Sequence, residues 1–129
     1  MARQIDIAGK SGTIYRYTEL DEVRPQAPAG ANYIVTAATD RGEGVVFVGE
    51  TDNLSRGDWR GPLTEARARF EDVRILTRLN VRSAVRQTET SDLIDHHRPT
   101  LNADAGPQGQ SFADAAAETG AGESGEREV

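Results

Sequence analysis

Short runs of β-branched and aromatic residues, separated by Gly-rich or polar turns, fill the first half of the chain. Residues 3–7 and 13–18 flank a Gly-Lys-Ser-Gly turn and predict a β-hairpin. A polar connector with Pro25 and Pro28 follows. Residues 32–37 (NYIVTA) and 45–49 (VVFVG), joined across residues 40–44, predict a second hairpin. Thr51 or Asp52 is placed to cap a short helix over residues 53–56, which Gly57 breaks. Leu63, Ala66 and Phe70 recur at helical spacing. Residues 74–81 alternate, with Ile75, Thr77, Leu79 and Val81 on one side and Arg74, Leu76, Arg78 and Asn80 on the other. That period predicts a strand with arginines on one face. Ser83 is placed to cap a helix from Ala84 to about His97, and Pro99 ends it. There is no internal repeat, and the order β-β, β-β-α-α-β-α predicts an α+β domain.

Composition divides the chain at Asn102. Residues 103–129 hold five Gly, seven Ala, six acidic residues and one basic residue. Such a segment buries too little apolar surface to offset its ordering entropy, which predicts a disordered acidic tail. The whole chain of 129 residues carries 15 basic and 21 acidic side chains. Residues 1–102 therefore hold 14 basic and 15 acidic side chains, net −1, and the tail is net −5. The tail serves as a solubilising spacer or competes for a basic face. Lys10 is the sole lysine, a bias that reflects base composition more readily than function. With no cysteine, disulfides, thiol catalysis and cysteine-ligated zinc are excluded. No apolar run approaches the roughly 20 residues of a membrane span, and no secretory leader is visible, so a cytoplasmic protein without membrane contact is expected. The Gly9-Lys10-Ser11 triplet lacks the preceding Gly-rich loop and following helix of a phosphate-binding loop.

Residues 31–102 contain four pieces in order. They are Ala31-Asn32-Tyr33 before an apolar strand, Val46-Phe47-Val48-Gly49 at the end of the next, Glu50-Thr51-Asp52-Asn53-Leu54, and Leu93-Ile94 followed by Pro99 and Asn102. Together they resemble the GIY-YIG endonuclease domain. The resemblance implies a three-stranded antiparallel sheet flanked by helices over residues 30–102, with an extra N-terminal hairpin and connector (1–29) and the tail (103–129) outside it.

The resemblance also implies phosphodiester hydrolysis, which needs an activated water, a divalent ion and a cation for the developing charge. Tyr33 matches the first motif's tyrosine, with a role in positioning water or simply as a strand aromatic. Phe47 replaces the second tyrosine and cannot exchange a proton. Gly57 occupies the family's arginine position, with Arg56 one residue, about 100° of helix, away. Arg60 is a substitute if the turn allows. Both are otherwise solvated surface arginines. Thr90 occupies the family's metal-binding glutamate position, and Glu89 precedes it. Glu89 lies on the inward stripe Val85–Glu89–Leu93, where a carboxylate needs a metal or a partner. Asn102 matches the terminal asparagine, as a catalytic-site residue or as a stitch for the chain end. His96 and His97 point about 100° apart and make no metal site.

Three of five catalytic positions are thus altered. The expected function is a GIY-YIG-like, nucleic-acid-associated module with impaired or lost cleavage, acting by binding DNA or a protein partner. One alternative is an active endonuclease using Mg²⁺ or Mn²⁺, with Tyr33, Arg56 and Asn102 catalytic and Glu89 on the metal. The other is a regulatory subunit that docks a partner through the hairpin. Arg60, Arg67, Arg74 and Arg78 are the expected nucleic-acid contacts, with Arg69 and Arg82 nearby. No small-molecule cofactor is expected.

Overall fold

The computed structural model describes residues 3–105. It is an α+β fold with one curled, five-stranded antiparallel sheet. The strands are β1 (Gln4–Ala8), β2 (Ile14–Glu19), β3 (Ala31–Thr39), β4 (Gly42–Thr51) and β5 (Glu71–Leu79). The helices are α1 (Arg60–Arg69), α2 (Ser83–His97) and α3 (Thr100–Ala105). Spatial order is β1-β2-β5-β3-β4. The expected hairpins are present, and so is the alternating strand, which begins at Glu71 and ends at Leu79 instead of running from residue 74 to 81. The sheet has five strands rather than three, because β2 joins β5 through the pairs Thr18↔Thr77 and Glu19↔Leu76. α3 is a helix absent from the expected order, which ended at Pro99; it runs past the expected boundary at residue 103, and the rest of the predicted tail lies outside the described residues.

Strand parity sorts the core into two layers. On one face Tyr33, Val35, Ala37 and Ile75 pack with Leu54, Trp59, Leu63, Ala66 and Leu101, beneath α1 and α3. On the other face Ile34, Val48 and Leu76 pack with Tyr17 and with Leu93 of α2. β3 is central and covered on both sides, so residues 31–37 are all buried, which explains their nearly continuous apolar run. In β4 the register slips beside Val35, and Val46 is an extra residue, so Val46 and Phe47 both enter the α1 layer.

Two caps differ from expectation. Asn53, not Thr51 or Asp52, caps the 3₁₀ turn Leu54–Arg56 by accepting from the Ser55 N–H. Gly57 ends that turn with φ 83°, a left-handed conformation that favours glycine. Ser83 is the first residue of α2 rather than its cap, and Arg82 at the cap position makes no side-chain capping bond. α1 begins with Pro62 in its first turn, where a missing N–H costs nothing.

Candidate functional site

The residues implied by the family resemblance fall on different parts of this frame. Tyr33 has odd parity on β3 and lies in the α1 layer, 1% exposed, stacked on Phe47 at 6.1 Å between ring centroids. Its ring crosses Gly49, its register partner. A Cβ there would lie 2.7 Å from Tyr33 Cζ, so only glycine fits. Glu89 lies under the opposite face. It is 2% exposed and accepts hydrogen bonds from the Tyr17 hydroxyl (2.5 Å), Arg78 Nε (3.1 Å) and Asn80 Nδ2 (3.3 Å). The sheet therefore separates Tyr33 from Glu89. This corrects the expectation of one site containing both, and it follows from Tyr33 and the β5 arginines having opposite parity about the sheet.

Glu89 is the hub of a polar layer beneath α2. Asn80 also donates to Asn32 Oδ1 (3.0 Å), and Asn32 donates to Arg86 O (3.1 Å) and Thr90 Oγ1 (3.0 Å). Arg86 is buried. Its Nε donates to Glu50 (2.7 Å) and its Nη1 to the carbonyls of Asn80 and Val81 (3.0 and 2.8 Å). Arg86, Glu89, Thr90 and Leu93 share a stripe at spacings of three and four, which marks Arg86 as inward. Sequence reasoning missed it, together with Tyr17 and Asn80. Burial first, then the Glu89 charge, push the Tyr17 hydroxyl far above its ordinary value. Glu89 already accepts three hydrogen bonds beside a guanidinium, and no group of three or more His, Asp or Glu suited to a metal occurs among the described residues.

Asn102 is buried and clamps β4: Val48 N–H donates to its Oδ1 and its Nδ2 donates to Val48 O, each at 2.8 Å. Arg56 sits on the 3₁₀ turn, held by Asp52 (2.6 Å) and Asp58 (2.7 Å). The Asp58 bond, then the Asp52 bond, hold its guanidinium more firmly protonated, and Arg56 in turn lowers Asp58. Arg60 lies over the Trp59 ring at 4.2 Å.

The expected basic face is divided as well. Arg67 lies on α1, paired with Glu22 (3.0 Å), whereas Arg74 and Arg78 project to the α2 side of β5. Arg74 approaches Glu19 (3.5 Å) and Glu43 (3.9 Å). These partners come from the connector and neighbouring strands, beyond the reach of local pattern.

The Gly-Lys-Ser turn docks the hairpin on α2. Ser11 N–H and Oγ donate to the two Asp92 oxygens (2.8 and 2.7 Å), Tyr15 OH donates to Oδ2 (2.7 Å), and Lys10 N–H donates to Asp92 O (3.1 Å). The Ser11 hydroxyl, then Tyr15, hold the Asp92 carboxyl below its usual range. At the far end of α2, His97 Nε2 lies 2.7 Å from Ala8 O, which requires the proton on Nε2. Burial pushes His97 below its ordinary pKa of about 6.5. A depressed folded pKa means protons bind the unfolded chain more readily. This contribution to stability is complete above about pH 6.5 and is lost as pH falls through the folded value. Thermal unfolding is expected at lower temperature at pH 5.5 than at pH 7.5, and His97→Gln, which retains an N–H donor, should shrink that difference.

No family model, curated protein or solved structure matches this chain. No helix among the described residues is long and apolar enough to cross a membrane.

Proposed function

We propose that this chain is a GIY-YIG-like, nucleic-acid-associated module that keeps its fold for binding and has lost phosphodiester cleavage. The observation that carries this reading is the separation of Tyr33 and Glu89 by the sheet. A nucleophile-positioning group and an acidic partner must lie within hydrogen-bond reach of one reacting phosphate. The remaining groups are also engaged structurally: Asn102 on the β4 backbone, Arg56 between two aspartates. The GIY-YIG resemblance finds support in the neighbouring order β4-β3-β5 and in the close fit of Gly49 beneath Tyr33.

A second reading, a regulatory subunit that binds a protein through the hairpin, is favoured by the carboxylates facing Arg67, Arg74 and Arg78. Cations already paired release fewer counterions from DNA. The hairpin is not a removable appendage, since Tyr17, Ile5 and Ile7 belong to the α2 layer. Substitutions on the outward positions Gln4 and Asp6 test that surface without opening the core.

The test is incubation of the full chain with labelled linear, branched and single-stranded DNA, with Mg²⁺ or Mn²⁺, beside Tyr33→Phe. The expected result is retention at low salt that falls steeply as salt rises, with no cleavage by either protein. Metal-dependent cleavage lost in Tyr33→Phe overturns the proposal. Absence of retention for every DNA removes nucleic acid as the ligand and leaves the protein-partner reading.

A further inference from the structure

The hairpin opens a cleft that the GIY-YIG resemblance does not account for. β2 pairs with β5 only at Thr18 and Glu19, and farther back along the strand Tyr15 reaches Asp92 of α2 instead. Between them lies a cleft of about 300 Å³ lined by Tyr15, Arg78, Ala84, Val85, Thr88 and Glu89. We infer that this cleft binds a small organic oxyanion, a carboxylate or phosphate carried on an apolar or aromatic body, with Arg78 as its anchor.

Arg78 is half used. Its Nε donates to Glu89 and its guanidinium carbon lies 5.8 Å from the Tyr15 ring centroid, while its Nη groups make no hydrogen bond among the described residues. Its side chain is 39% exposed. Glu89 thus fixes the guanidinium from below and leaves terminal donors available. A planar guanidinium fork matches the paired oxygens of carboxylate or phosphate, and holding it in place before binding reduces the entropy lost on association.

Two carboxylates border the cleft, and both are engaged: Glu89 accepts from Tyr17, Arg78 and Asn80, and Asp92 accepts from Ser11 and Tyr15, so the ligand's oxygens meet the unengaged Nη groups of Arg78 rather than a bare carboxylate. α2 forms one wall, and at its first turn, Ala84 and Val85, the helix dipole also favours negative charge. Tyr15, Ala84 and the exposed Val85 supply apolar surface for the ligand's body. The volume suits a ligand of modest size, at the small end of known pockets.

This inference is independent of the cleavage question, and its test does not use DNA cleavage as a readout. The full chain, labelled for NMR, is titrated with benzoate and phenyl phosphate. Benzyl alcohol supplies the body alone and inorganic phosphate the anion alone. Saturable shifts are expected at the Val85 methyls, the Tyr15 ring and Arg78 Nε–H. The preferred aromatic anion should bind about tenfold more tightly than either control, equivalent to one good charge-assisted contact. Comparing benzoate with phenyl phosphate identifies the oxyanion.

Arg78→Lys retains charge but removes the fork, and Val85→Glu places a negative charge at the exposed rim without disturbing the core. Each should weaken binding about tenfold, with unchanged spectral dispersion in Val85→Glu establishing that the fold survives. Shifts that fail to saturate, that map outside the cleft, or that persist undiminished in Val85→Glu overturn the inference. Binding of benzyl alcohol as tight as that of both aromatic anions overturns Arg78 as anchor.

Discussion

Replacing Glu89 with Ala is expected to destabilise the fold by about 3 kcal/mol, or roughly 15 °C in Tm for a domain of this size. The change removes the acceptor of the wholly buried Tyr17 hydroxyl, a partner of Arg78 and one acceptor of Asn80. Tyr17 contributes most to the loss, since its stranded hydroxyl sits in the core and a buried unsatisfied donor costs about 1–3 kcal/mol. Arg78 is partly exposed, so water recovers some of its interaction. Glu89→Gln retains a carbonyl acceptor for Tyr17 and should cost about half as much. Denaturation of the three proteins checks this order. A metal-ligand role predicts instead that Mg²⁺ or Mn²⁺ raises the Tm of the wild type and not of Glu89→Ala. The polar layer predicts no such metal dependence.

Asn102→Ala is expected to cost about 3 kcal/mol as well, because it strands two backbone groups at once. Val48 N–H and C=O face the outer side of β4, where no further strand follows, and the Asn102 amide supplies the missing donor and acceptor at 2.8 Å each. The planar amide mimics a neighbouring peptide group. Asn102→Asp preserves the acceptor for Val48 N–H but sets an oxygen against Val48 O, so it should not rescue the fold. Hydrogen exchange at the Val48 amide provides the local readout and should accelerate in both variants together with the fall in Tm. An asparagine used only for phosphate contact predicts unchanged exchange and Tm, with reduced DNA retention.

These two residues also show how far local pattern carries. Glu89 was legible as inward-facing from the Val85–Glu89–Leu93 stripe, of which Glu89 and Leu93 are buried and Val85 is exposed, and Asn102 as a chain-end stitch from its amide and the preceding Pro99. Their partners were not legible. Tyr17 lies 72 residues from Glu89, and Val48 lies 54 residues from Asn102. Arg86 carries the same inward spacing, yet its burial depends on Glu50 and on two carbonyls that become available only when the turn after β5 folds against it.

The sequence by itself determined the order of the elements as far as α2, the Gly57 break, the two-faced alternation of β5 and the inward placement of Glu89. Each depends on a repeat of two or about 3.6 residues, or on one residue's backbone preference, and is therefore written locally. Only the tertiary structure decided that the N-terminal hairpin extends the main sheet, that α2 covers the face opposite Tyr33, and that most of the expected DNA-contacting arginines meet carboxylates. Those outcomes depend on which distant segments bury one another, and many pairings share the same local pattern until the chain closes upon itself.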